Sequence, residues 1–282
     1  MLTTTLDGLW VLQILTGIEV VAPELGLRPV LPSVETKDVA LLHPVADELK
    51  AAGVIDGHGS VDPAVVEWLT VLARRDVALW LQATRPATGD DAAIPAQVTL
   101  ARFAQWWVAL ERSDIVVRLS GAGTSSSEGA ATHVIGSQLE RLCGAALPAK
   151  FKPLTVPTDQ ILGQVKDRDT LRRYLLSNVD LDADQMHIVM TAADTGQAAQ
   201  ASIVALQSGV ESGSETRVRV EGSVVTVIDT PEGRVMAEHF ERSGKRWMIM
   251  APGSLATITT AVNEMVRRLP AAAEWHSYRK VV

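Results

Sequence analysis

The chain has 282 residues, of which 47% are apolar and 21% charged, with a formal net charge of −7 and one cysteine. That length allows about two domains, or one unit of two intimate halves, with a core large enough to need no covalent staples. Its basic residues fall in scattered pairs (Arg74-Arg75, Arg172-Arg173, Arg267-Arg268), so no basic face forms and a nucleic-acid partner is not expected.

Residues 3–17 read as a short strand running into a helix. Gln13 and Glu19 interrupt its apolar run well short of the ~20 residues a membrane span needs. The first basic residue is Arg28, so the basic start of a secretory leader is missing. Pro23 to Pro32 is an extended connection. Thr36–Ala52 is helical, with its main part starting at Pro44, because a proline well inside would break the ladder. Asp62-Pro63 places a capping residue before a proline at the first helical position, and Val65, Leu69 and Leu72 form that helix's buried stripe.

The period then changes. Val77–Thr84, Ala96–Phe103, Trp106–Arg112 and Ile115–Ser120 read as strands, residues 85–95 as a polar hairpin loop, and Ser125–Leu142 as a closing helix. The second half repeats this order, with helices near 158–166, 168–177 and 182–193. Strands follow near 200–208, 216–228, 234–241 and 246–250. A last helix over 254–268 carries Leu255, Ile258, Val262, Met265 and Leu269 on one face. Helices grouped around short-looped strands predict an α+β fold with an antiparallel sheet.

The halves also echo each other in sequence. Glu111-Arg112-Ser113 recurs as Glu241-Arg242-Ser243, each before an apolar strand, a small-residue turn and an amphipathic helix; upstream, Leu81-Gln82 faces Leu206-Gln207. A repeat this long is no solenoid unit. It predicts a pseudo-twofold unit whose halves, 1–146 and 147–282, share one central sheet.

Catalytic and metal motifs fail at their diagnostic positions. Gly121-Ala122-Gly123 has no Gly-Lys-Ser/Thr and no third glycine where Ser126 stands, and Ser125-x-x-Glu128 reads as a capping box. Asp180-x-Asp182-x-Asp184 has Gln185 and Thr191 where a calcium loop needs Gly and Glu, so Asp182 reads as a helix cap. The six histidines are dispersed, which argues against zinc. Cys143 sits in the apolar stripe Leu139-x-x-Leu142-Cys143 and reads as a buried thiol in a reducing cytoplasm. No Gly-x-Ser-x-Gly elbow occurs. No cofactor is expected and an enzyme is not favoured. The alternative reading is an enzyme with a small-ligand cleft between the halves, marked by converging buried ionisable groups.

Alternation in the strands offers another kind of site. Thr99, Ala101 and Phe103 share one face while Val98 and Leu100 share the other; Val218 and Val220, then Val225 and Val227, also alternate with polar neighbours. One sheet face must meet the helices, and the other could stay open as an apolar groove. Left unoccupied, such a face is prone to pair with a second copy, so a homodimer is a third possibility.

The chain resembles the EspG family of type VII (ESX) secretion chaperones along essentially its full length. The resemblance rests on TTTLDGLWVLQ (Thr3–Gln13), APELGLRP (Ala22–Pro29), HPVADELKAAGVID (His43–Asp56), EWLTVLARRD (Glu67–Asp76), IDTPEGR (Ile228–Arg234), APGS (Ala251–Ser254), RRLP (Arg267–Pro270) and EWHSYRKVV (Glu274–Val282). It implies a cytoplasmic, non-enzymatic chaperone that binds PE–PPE heterodimers, mainly through the helical PPE tip. The implied contacts lie on 85–95, 97–103, 202–206, 225–236 and the helix 255–266. Arg85, Asp90, Asp91, Arg102, Asp229 and Arg234 would form a polar rim. Thr99, Ala101, Phe103, Val204, Val225, Val227, Met236, Ile258 and Val262 would form the apolar surface.

Overall fold

The structure, a computed structural model, describes residues 1–84, 96–159, 165–194, 196, 198–208 and 218–269. Side-chain oxygens set where its helices start. Thr5 opens α1 (Leu6–Thr16), Thr36 opens α2 (Lys37–Leu42) and Asp62, accepting from the Ala64 and Val65 N–H groups, opens α4 (Pro63–Arg74). The span 36–52 is two helices, because α3 (Pro44–Ala51) restarts on its proline, which has no N–H to continue the ladder of α2.

Asp167 and Asp182 form capping boxes with Thr170 and Gln185 at the starts of α6 (Arg168–Asn178) and α7 (Ala183–Ala192). Asp182 is therefore a cap, as its spacing suggests. Ser254 opens α8 (Leu255–Arg267). One capping expectation fails: Ser127, not Ser125, caps α5 (Glu128–Cys143). The Ser125 hydroxyl instead accepts the Trp107 indole N–H at 2.7 Å.

Among the described residues eleven strands form one sheet: β1 (Leu2–Thr5), β2 (Val77–Thr84), β3 (Ala96–Phe103), β4 (Trp106–Ser113), β5 (Val116–Thr124), β6 (Leu154–Pro157), β7 (Ala199–Ser208), β8 (Val218–Val220), β9 (Val224–Thr230), β10 (Gly233–Arg242) and β11 (Lys245–Pro252). The expected strand over 216–228 is broken, because the Glu221 carboxylate accepts the Ser223 N–H at 2.7 Å and turns the chain between β8 and β9. β6 was not foreseen. The expected loop at 85–95, part of the helix at 158–166 and the tail after Pro270 lie outside the described residues.

The strand order is β1-β5-β4-β3-β2-β7-β9-β10-β11-β6, with β8 beside β7 and all strand pairs antiparallel. Read outward from the central β2–β7 pair, both directions give the same sequence of hairpin and edge strand. This is the pseudo-twofold arrangement predicted from sequence.

The tripeptide echo is nevertheless one residue out of structural register. Ser113 pairs with Val116 around the turn Asp114-Ile115, and Arg242 pairs with Lys245 around Ser243-Gly244. Both turns open on a non-glycine residue with positive φ, Asp114 at 54° and Ser243 at 55°. Superposing the turns matches Arg112, not Glu111, with Glu241. The Leu81/Leu206 match fails for a related reason: Leu81 packs in one core layer and Leu206 in another. An axis normal to the sheet cannot exchange faces, and neighbouring residues on a strand point to opposite faces.

Both faces of the sheet carry helices. On the first face, α1 to α4 pack over β2–β5 around Leu9, Leu12, Leu69, Leu110 and Leu119. Farther along the same face, α6 and α7 pack over β9–β11 around Leu175, Ile188, Val235 and Met250. On the second face, α5 and α8 cross the middle of the sheet and bury Leu79, Leu100, Trp107, Ile203 and Val227.

Candidate functional site

The expected open sheet face is roofed by the chain itself. Thr99 and Ala101 are 0% exposed beneath α4 and the 3-10 turn Pro23–Leu25. The Thr99 hydroxyl donates to Glu24 at 2.6 Å, and Glu24 also receives Arg75 at 2.8 Å. Arg102 is not on a rim: it is 1% exposed and donates through Nε to Asp76 at 3.2 Å. Val225, Val227, Met236, Ile258 and Val262 are buried together in the layer under α5 and α8.

Arg234 is also interior. It donates to Asp229 from Nε at 2.6 Å and from Nη2 at 2.8 Å, and to the Cys143 carbonyl at 3.0 Å. The Asp229–Arg234 pair thus ties the end of α5 to the β9–β10 hairpin. Phe103 and Val204 are half-buried against the first-face core. Arg85, Asp90 and Asp91 lie outside the described residues. Period-2 alternation marks a buried face, but it cannot tell whether the chain's own helices or a partner's cover that face.

Open apolar surface does occur, in a place that strand periodicity did not single out. Between β1 and α4 the first half has 57 residues, 6–62, to lay over its strands; between β6 and α7 the second half has only 25, 158–182. Among the described residues a groove of about 490 Å³ lies between α6, α7 and the strands β9–β11. Leu171, Leu175 and Val189 form its helical wall, and Ala237, Met248 and Met250 form part of its floor.

Glu241 and Arg246 stand at the groove's far end, where Arg246 Nε lies 3.5 Å from Asp159. His239 lines the mouth with one edge open to solvent, and the packed strands and helices around the rest of the ring desolvate it and hold its imidazole below the ordinary value. A second cleft of about 540 Å³ opens between α4 and the start of β4, with Trp68, Phe103 and the 52%-exposed Trp106 on its walls.

The buried guanidinium groups Arg75, Arg102 and Arg234 are each matched to a carboxylate, Glu24, Asp76 and Asp229. Among the described residues no group of three His, Cys, Asp or Glu could hold a metal ion, and no helix is long and apolar enough to cross a membrane.

Comparison with known proteins places this architecture. The profile of the EspG family matches residues 5–264. The ESX-2 secretion-associated protein EspG2 of Mycobacterium tuberculosis is 49% identical over 282 residues, the whole of both chains. The ESX-5 secretion-associated protein EspG5 of Mycobacterium marinum is 26% identical, over 99% of this chain and 97% of that one. Among solved structures, the Mycobacterium tuberculosis type VII secretion system chaperone EspG5, in complex with a PE25–PPE41 dimer, superposes with a TM-score of 0.74 at 22% identity, covering 99% of both chains.

Proposed function

The chain belongs to the EspG family, and on that premise we propose that it is a type VII secretion chaperone that holds PE–PPE heterodimers in the cytoplasm through the groove between α6, α7 and β9–β11. The observation that carries this reading is the unequal cover of the two halves. A nearly symmetric sheet is covered over most of the first face by 57 residues in one half, and among the described residues it keeps an apolar trough between α6, α7 and β9–β11 in the other. An apolar trough with a polar mouth suits an amphipathic helical tip, whose apolar side would self-associate if left free.

The mode of action is binding alone. Leu171 and Met248 take the partner's apolar side chains out of water, while Asp159, Glu241 and Arg246 at the rim set orientation and encounter rate. Burial of at least ~1,000 Å² is expected for a specific complex. That is more than the groove alone offers, so flanking surface joins the contact. The residues buried under α5 and α8 act as support for the groove floor, not as contacts.

Co-expression with candidate PE–PPE pairs tests the reading. One pair is expected to become soluble and to co-elute with the chain. If no pair does so, while the chain itself stays folded, the chaperone assignment fails. A change of apparent mass with chain concentration in the absence of any partner would favour self-association through the same surface.

A further inference from the structure

The uncovered groove has a covered counterpart in the same molecule. With the two hairpin turns in register, Val108, Leu110, Val117 and Leu119 of the first half correspond to Ala237, His239, Arg246 and Met248 of the second. The first four are at most 1% exposed, packed in the core that also holds Val21, Ala22 and Leu25 from the connection after α1. That connection acts as a plug, and Arg112 fastens its end by donating from Nη1 to the Leu25 carbonyl at 2.6 Å. The corresponding residue in the second half is Glu241.

Polarity at this position is therefore inverted between the halves. Glu241 is exposed and lines the groove's end. Its cross-strand neighbour Arg246 is turned to Asp159, with the Nε at 3.5 Å and the backbone N–H at 2.9 Å from that carboxylate. Among the described residues the Glu241 carboxylate has no hydrogen-bond or ion-pair partner.

We infer that Glu241 is a specificity-determining residue of the groove, receiving a lysine or arginine side chain from the partner's apolar helical tip. It would fasten the incoming segment as Arg112 fastens the chain's own plug, with donor and acceptor exchanged. This rests on the chaperone reading above. The contact rejects tips that bring a carboxylate to the same spot, because like charges brought together there are repulsive.

The test uses the PE–PPE dimer that co-elutes with the wild-type chain as the probe, with affinity measured at low and high salt. Glu241→Gln is expected to weaken binding about tenfold, the usual worth of a charge-assisted hydrogen bond, and to flatten its salt dependence. Glu241→Arg, which reproduces Arg112, is expected to weaken it further. Arg242→Gln, on the opposite face, serves as the control and stays within about twofold of wild type. Because Glu241 is exposed, the unfolding curves of all three variants should overlay that of the parent. If Glu241→Arg binds within about twofold of wild type, the inference fails while the chaperone reading stands; if the wild-type chain captures no pair, both fail.

Discussion

Glu24 and Arg75 meet at 2.8 Å across 51 positions of sequence, with 9% and 4% of their side chains exposed. The pair locks the plug that follows α1 onto the end of α4, and Thr99 on β3 adds a third bond to the same carboxylate. The plug that it holds covers, in the first half, the surface that corresponds to the groove of the second.

Breaking that pair should be costly. Removing one partner of a buried ion pair leaves an uncompensated charge, at about 3–5 kcal/mol. Glu24→Ala is therefore expected to lower the stability measured by urea unfolding by that order. Glu24→Leu with Arg75→Met, which removes both charges, should lower it much less. Equal losses in the two proteins would show that the ion pair is not what holds the plug.

Two apolar positions in different layers should behave in opposite ways. Met248 lines the groove and is half-buried, whereas Val227 is 2% exposed under α5 and α8. Met248→Arg is expected to abolish partner capture with a native unfolding transition. Val227→Arg is expected to abolish folding itself, since it buries an unpaired charge. A folded Val227→Arg monomer would mean that this layer is not closed.

Gly233 is a backbone requirement of the β9–β10 hairpin. Its φ is +125°, and an added Cβ would lie 2.8 Å from both the Ala149 nitrogen and the Leu147 carbonyl oxygen. Gly233→Ala should therefore cost at least about 1–3 kcal/mol, the range for a strained conformation alone. Differential scanning calorimetry reads this as a lowered Tm. An unchanged Tm would contradict the described packing of residues 147–149 against the hairpin.

His239 gives the fold a pH dependence of defined sign. Desolvation lowers its folded-state pKa, so below the ordinary histidine value of about 6.5 the unfolded chain binds the proton first. The His239 contribution is level above that pH and declines as pH falls through it, until the folded form also protonates. Comparing Tm at pH 7.5 and pH 5.5 should show a smaller acid-induced drop in His239→Gln than in the parent. An identical drop in both would remove His239 from the account.

Much of the fold was legible in the chain. Strand positions followed from Val, Leu and Trp alternation, and the starts of α4 and α7 followed from Asp62-Pro63 and Asp182. The pseudo-twofold was foreseen, although Glu111 and Glu241 are not the residues it exchanges. A tripeptide match carries no information about which face a side chain occupies, and one residue of slip reverses every face.

The site was less legible because openness is a property of cover, not of strands. Leu119 and Met248 hold matching strand positions, yet one is buried and the other half-buried in the groove. Among the described residues, the second half has the less covered strands, and the chain between Pro157 and Ala183 is the shorter one. Chain length between matched strands carried that signal, and strand periodicity did not. The buried salt pairs of Arg102 and Arg234 were equally invisible, since a charged residue on a strand reads as rim until a partner carboxylate is seen beside it.

Site-specific photo-crosslinking of the co-expressed complex is the most direct measurement of where a partner sits. A benzophenone side chain at Met248, in the groove, should yield a covalent product with the PPE subunit, while the same probe at Trp106, in the cleft beside α4, should yield none. Crosslinking from Trp106 with none from Met248 would place the partner on the other half of the molecule and contradict the account.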